Sequence, residues 1–127
     1  MRIRKVKSNE IIEVLKFIAE TFPNSNISIS ENDTIYLATE NKEIVGFMHT
    51  TEESDKVLLN GIGTRKEDRG KMIGTKLMNY LVNKIKNKPI FLKVKDKNFV
   101  AQKLYHKFGF IPKKFGEVYI LVKQPEN

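Results

Sequence analysis

Cysteine is missing from all 127 residues. That excludes a disulfide framework, a thiolate-ligated metal site and a catalytic thiol, and it accords with a reducing compartment. Long apolar runs are missing too, since none approaches the roughly 20 residues that cross a bilayer. The basic start, Met1-Arg2-Ile3-Arg4-Lys5-Val6, is not followed by the apolar segment and small-residue cleavage site of a secretory signal, so a mature cytoplasmic protein is expected. Repeats, linkers and low-complexity segments are absent, and residues 1–127 read as one domain, large enough for a core of its own. Acidic residues are scarce beside basic ones, 15 against 23, for a net charge of +8. Such a surplus attracts nucleic acid, an anionic cofactor or an acidic protein. No RNA-binding aromatic motif or helix-turn-helix signature accompanies it, and Phe99, Phe108 and Phe110 sit at core-like spacings, so nucleic acid ranks third among the functions considered.

What is present is a clear alternation of helical and strand periods. A short edge strand is expected within Met1 to Lys7. Ser8 or Asn9 is placed to cap a helix reaching Phe22, with apolar residues Ile11, Ile12, Leu15, Ile18, Ala19 and Phe22. Pro23 ends it, and Pro23-Asn24-Ser25-Asn26 is turn chemistry. Thr34–Thr39 and Ile44–Thr50 read as strands joined by a tight Asn41-Lys42 turn, and Val57–Ile62 returns after the polar turn Glu52–Lys56. Ile73, Leu77, Leu81 and Ile85, with Met78 and Val82 beside them, predict a helix over about Lys71 to Asn87. The strand Pro89–Val94 follows, which makes a right-handed crossover between parallel strands. Asn98 caps a further helix with Ala101, Leu104, Tyr105 and Phe108 on one face and Gly109 at its stop. Phe110-Ile111 and Glu117–Val122 supply a last pair of strands. The fold class is therefore mixed α/β, a mostly antiparallel sheet with one parallel pair and helices on both faces.

The most informative stretch runs from Thr64 to Gly109, and its first part leads from a polar turn into a helix. Backbone N–H groups at a helix N-terminus have no intrahelical partner, and here they stand beside Arg69, Lys71 and Lys76. That arrangement holds phosphate.

Arg69-Gly70-Lys71-Met72-Ile73-Gly74 resembles the Arg/Gln-x-x-Gly-x-Gly/Ala loop with which the GNAT N-acetyltransferase superfamily binds the pyrophosphate of acetyl-coenzyme A. Asn98-x-x-Ala101-x-x-Leu104-Tyr105-x-x-x-Gly109-Phe110 is similar to that superfamily's second motif. The resemblance implies a strand that splays from its parallel neighbour, with the pantetheine arm in the gap beside Ile62, Gly63 and Thr64. It implies phosphate binding by Arg69 and Gly70 and by the backbone of Lys71, Met72, Ile73, Gly74 and Thr75, and a coenzyme lined further by Asn98, Ala101 and Tyr105. Lys103 and Lys107 are additional cations for the coenzyme phosphates. One departure stands out: Met72 occupies the position of the loop's first glycine, where it can still offer its N–H from a helical conformation and can also serve as a packing residue under the helix.

The implied reaction is direct acetyl transfer to an amine in a ternary complex, without metal and without a covalent enzyme intermediate. Tyr105 aligns with the family's general acid, and a phenol of pKa about 10 can protonate a thiolate whose conjugate acid lies near 8.5. An N–H at or near Ile62 polarises the carbonyl. Where some members carry a glutamate base this chain has Leu58 and Asn60; Asn60 can hold a water that passes the amine proton outward. His49, Glu52, Glu53 and Glu117 are alternatives, although a lone strand histidine more often serves structure and Glu52 and Glu53 suit a solvated turn, so the base stays unassigned. Only residues 23–33 separate the first helix from the next strand, without an apolar helical period, so the family's second helix is expected to be reduced and the acceptor cleft open. A protein N-terminus, a lysine or a small amine then qualifies as acceptor, a polyamine less so given the positive charge. The rival reading is a catalytically weak coenzyme-binding sensor or partner-binding module. Either a monomer or a homodimer is compatible with the sequence.

Overall fold

The computed structural model describes residues 1–22, 25 and 27–126. Strand β1 (Arg2–Lys5) leads through a 3-10 turn (Ser8–Glu10) into helix α1 (Ile11–Thr21). Strands β2 (Asp33–Glu40), β3 (Glu43–Glu52) and β4 (Val57–Thr64) form an antiparallel meander. A second 3-10 turn (Lys66–Asp68) precedes helix α2 (Ile73–Lys84), then come β5 (Ile90–Lys95), α3 (Phe99–Lys107), β6 (Ile111–Lys114) and β7 (Val118–Lys123). The seven strands make one sheet ordered β1-β2-β3-β4-β5-β7-β6, with β4–β5 its parallel pair. This is the expected α/β class. No helix among the described residues is long and apolar enough to cross a membrane.

Strand alternation divides the interior into two layers. Ile35, Leu37 and Phe47 face Val14 and Ile18 of α1. Tyr36, Ala38 and Met48, one residue out of phase, face α2 and α3 with Leu77, Leu81 and Tyr105. The β2–β3 hairpin closes through Asn41 and Lys42, both at positive φ (52° and 68°), the two-residue geometry that matches strand twist. Gly109, at φ 90°, ends α3. The N–H of Phe110 donates to the Tyr105 carbonyl (3.2 Å) and that of Gly109 to His106 (3.0 Å), the paired bonds of a Schellman stop.

Several expectations are corrected. Neither Ser8 nor Asn9 caps α1; both lie in the 3-10 turn, and the Glu10 carboxylate instead accepts the Lys7 N–H (2.8 Å). The inward face of α1 is Ile11, Val14, Ile18 and Phe22, while Ile12 is 80% exposed. Both the 11-14-18-22 and the 12-15-19 sets follow helical spacing, and the packing of Val14 and Ile18 with Ile35, Leu37 and Phe47 is what selects the first. Helix α2 is shorter than its apolar pattern: Met72 is left-handed ahead of Ile73, and Ile85 has turned to extended backbone. Pro23, Asn24 and Asn26, read as helix stop and turn, lie outside the described residues. The described residues between Thr21 and Asp33 form no helix.

Candidate active site

The site begins where the sheet opens. The parallel ladder between β4 and β5 has three pairs, Val57↔Ile90, Leu58↔Phe91 and Leu59↔Leu92, and stops there. Beyond Leu59, β4 stays with β3 (Gly61↔His49 through Thr64↔Gly46), whereas β5 continues against β7 through Lys95. Every second backbone N–H and C=O of Gly61–Thr64 therefore faces a gap rather than a strand, and such groups require partners.

Asn60 stands at the divergence. The register of β3 against β4 shifts between His49↔Gly61 and Thr50↔Leu59, leaving Asn60 as the extra residue of a bulge. A bulge re-aims a side chain at a sheet opening; here the Asn60 amide nitrogen donates to Thr51 Oγ1 (2.6 Å). Asn60, Gly61 and Ile62 line a cleft of about 590 Å³ whose other walls include Ser30, Asp33, His49 and Thr51. On the far side of Asn60, Leu58, Phe91 and Lys93 border a second hollow of about 330 Å³. Further along β4, Ile62, Gly63, Thr64 and Arg69 line a cleft of about 450 Å³ with Phe22 and Lys66.

The α2 N-terminus lies just past that cleft. No side chain caps it. Its first bond runs from the Lys76 N–H to the Met72 carbonyl (3.0 Å), so the amides of Ile73, Gly74 and Thr75 precede any intrahelical acceptor. Gly70, at φ 86°, has open space where a Cβ would stand, and a Cβ on Gly74 would meet only Leu104, at 3.6 Å. Leu104 of the second motif is thus the side chain nearest that point of the loop motif. These amides, open ground and helix dipole fit a pyrophosphate.

Two expectations for this loop change. Met72 is neither helical nor a packing residue: it sits at φ 63°, ψ 28° and is 58% exposed. The loop geometry demands the left-handed conformation that glycine adopts without penalty, and methionine adopts it here. Lys71 is not an uncommitted cation. Its Nζ binds Asp68 Oδ1 (2.8 Å), while Arg65 Nε binds Oδ2 (2.6 Å). The Lys71 and Arg65 hydrogen bonds hold the buried Asp68 carboxyl below its ordinary range. Asp68 and Arg65 escaped the sequence reading, because an acid among basic residues in a turn looks solvated until its burial is seen. Arg69, Lys76, Lys103 and Lys107 are exposed.

In the second motif, the Asn98 side chain accepts the Ala101 N–H at 3.2 Å, an N-cap as its spacing predicts. Ala101 and Leu104 pack against the core cluster. Tyr105 is 8% exposed, its ring 6.0 Å from that of Phe110, and burial pushes its phenol pKa up. A phenol so placed stays protonated at neutral pH, the state a proton donor needs.

Among the alternative bases, Glu52 pairs with Lys88 (3.1 Å) and Glu53 with Lys56 (3.8 Å), and Glu117 is exposed at a strand turn. His49 alone faces the cleft beside Asn60. Asp33, also a cleft residue, was missed: its place one residue ahead of the predicted strand gave no sign of burial.

A family model described as the acetyltransferase (GNAT) family matches residues 9–110. No curated relative matches the chain. Among solved structures, a ribosomal-protein alanine N-acetyltransferase from Escherichia coli superposes with a TM-score of 0.80 at 17% identity, covering 99% of this chain and 94% of that one. An Arabidopsis thaliana protein solved with the bisubstrate analogue CoA-Ac-MVNAL gives 0.77 at 19% identity, covering 98% and 99%. A GNAT-family acetyltransferase from Streptococcus pneumoniae gives 0.77 at 19%, covering 98% of each chain. At these identities the likeness is one of fold, and it extends over nearly the whole sheet and its helices. With the family model spanning most of the sequence, the chain belongs to the GNAT acetyltransferase family.

Proposed function

We propose that this protein moves acetyl from acetyl-coenzyme A directly to a primary amine. The observation that carries the reading is the β4–β5 ladder ending at Leu59↔Leu92 immediately before an uncapped helix N-terminus. A pantetheine-like arm finds backbone partners along Ile62, Gly63 and Thr64, and its pyrophosphate finds the amides of Ile73, Gly74 and Thr75 with Arg69 nearby. Met72 contributes an N–H from a left-handed cap, and Asn98 and Ala101 border the coenzyme from α3.

The residues then divide the chemistry. An N–H at Ile62 stabilises charge on the carbonyl oxygen as the amine attacks. Carbon–nitrogen bond formation and carbon–sulfur cleavage leave a thiolate, which Tyr105 protonates. Asn60, at the bulge, holds a water on the acceptor side. The cleft beside it lacks a covering helix among the described residues, which favours an extended acceptor such as a peptide amino terminus or an exposed lysine, with small amines also admitted. The Arabidopsis structure, with its peptide-bearing bisubstrate analogue, supports a peptide acceptor on this fold.

The alternative is a coenzyme-binding module without turnover, favoured by methionine at the loop's glycine position. Thiol release from acetyl-coenzyme A across a panel of amines and peptides separates the two. Acceptor-dependent release supports the enzyme; tight coenzyme binding with no release on any acceptor supports the module.

A further inference from the structure

Side-chain polar atoms withdrawn from water nearly always have a hydrogen-bond partner, and an exception calls for an explanation. Among the described residues there is one such atom, Nε2 of His49. His49 is 6% exposed, and its Nε2 lies 3.5 Å from Oδ2 of Asp33. That is too long for a good neutral hydrogen bond. It is close enough for strong attraction once the ring carries a proton.

Asp33 is fixed in place. Its Oδ2 accepts the Ser30 N–H (2.8 Å) and the Ser30 hydroxyl (3.2 Å), and its Oδ1 accepts the Thr51 hydroxyl. Thr51 in turn accepts from the Asn60 amide. A string of polar groups thus runs from Asp33 to the bulge residue at which the sheet divides. Burial opposes ionisation of Asp33, yet the Thr51 and Ser30 hydrogen bonds, with His49 nearby, bring its pKa below the ordinary value. A carboxylate held ionised beside an unpartnered imidazole is ready to stabilise an imidazolium. The same residues line the cleft of about 590 Å³ on the acceptor side, and among the described residues Asp33 and His49 are its only titratable lining groups. The neighbouring elements contribute Ser28, Ser30 and Asn60, none of which titrates.

The geometry points to His49 as the group that removes the acceptor's proton, with Asp33 as its positioning partner; the inference rests on the acetyl-transfer reading and supplies the base that reading lacks. The ammonium form of the acceptor gives one proton to the His49 imidazole, leaving a neutral amine and an imidazolium facing Asp33. The amine nitrogen bonds to the thioester carbonyl carbon and the carbon–sulfur bond breaks. The thiolate takes the Tyr105 phenolic proton, and the second proton shed by nitrogen restores the phenol. His49 returns its own proton to solvent.

The test is the pH dependence of kcat/KM, read by thiol release, for the wild type, His49→Gln and Asp33→Asn, each checked for folding by thermal melting and for acetyl-coenzyme A binding by calorimetry. His49→Gln is expected to bind the coenzyme normally, to lose about 10²-fold in kcat/KM at neutral pH, and to lose the acid limb of the wild-type profile. Asp33→Asn is expected to lower kcat/KM with coenzyme binding kept, because the imidazole loses the carboxylate that orients it. A folded, coenzyme-binding His49→Gln variant with wild-type rate and limb overturns the assignment. If that variant does not fold, a folded, coenzyme-binding Asp33→Asn variant with wild-type kcat/KM overturns it instead. Absence of thiol release by the wild type with every amine overturns the acetyl-transfer reading and this assignment together, whereas release unaffected by either substitution overturns this assignment alone.

Discussion

Phe47 lies across the α-carbon of Gly63, so that a Cβ at Gly63 would stand 2.6 Å from Phe47 Cε1, with the Phe22 ring also only 3.1 Å away. The glycine in this part of β4 answers to two aromatic rings packed edge to face (4.9 Å between centroids). This contact lets α1 close over the sheet while β4 keeps its outer edge free. Gly63→Ala must displace one ring or the strand, at a cost of about 1–3 kcal/mol. Gly61→Ala, whose Cβ would meet Phe47 at an ordinary 3.7 Å, should cost clearly less. Urea midpoints of the two variants measured side by side check the difference, and equal midpoints would contradict it.

The left-handed Met72 gives a prediction of opposite sign. Glycine occupies φ 63° without the crowding that methionine suffers, although it has more backbone freedom to lose on folding. Met72→Gly should stabilise by about 0.5–1 kcal/mol, a rise of a few degrees in Tm for a domain of this size. Acetyl-coenzyme A affinity measured on the same variant should be maintained or improved, since the side chain is exposed and caps nothing.

Glu10 ties β1 to the start of α1. The Arg4 guanidinium donates to it at 2.5 and 3.2 Å and the Lys7 N–H at 2.8 Å. These bonds, the Arg4 one foremost, lower its pKa from 4.5 to about 2. A carboxyl whose pKa is depressed by folding contributes stability that is fully present above its unfolded value and lost as pH falls through the folded one. The Glu10 contribution should therefore be intact above pH 4.5 and disappear as pH falls toward 2. In acid denaturation monitored by circular dichroism, Glu10→Gln should be less stable than the wild type at neutral pH, and the two should converge in that window.

Much of this was legible in the sequence where the determinants are local. The Ile90, Leu92, Val94 alternation, the Asn98 cap and the Gly109 stop each use residues within a few positions of one another. The splay of β4 from β5 followed from the family resemblance, and the structure puts its start after Leu59. What escaped was non-local. The inward face of α1 depends on Phe47 and Leu37, far along the chain. Asp33 and Asp68 look like surface acids until their partners, Thr51 and His49 for one and Arg65 and Lys71 for the other, are brought round by the sheet and turn. Gly61 and Gly63 suit a bulge or a close approach by ligand in this strand, but that the extra residue is Asn60 is defined only relative to β3.

The proton-donor role proposed for Tyr105 has a test of its own. Its replacement by Phe removes only the hydroxyl and keeps the ring contact with Phe110. Turnover should fall by about 10²-fold with coenzyme affinity unchanged, as expected when an interaction made in the transition state is lost. An unchanged kcat at saturating acceptor, under conditions where chemistry is rate-limiting, would remove Tyr105 from the mechanism.

The most direct test of the central claim follows the acetyl group itself. Acetyl-coenzyme A carrying an isotopically labelled acetyl group is mixed with the protein and an amine or peptide acceptor, and both thiol and label are tracked through the first turnovers by mass spectrometry. The account predicts label on the acceptor nitrogen in step with free thiol, dependent on acceptor and with none covalently held by the protein. Tight binding of the coenzyme with no labelled product on any acceptor, or accumulation of label on the protein, would contradict it.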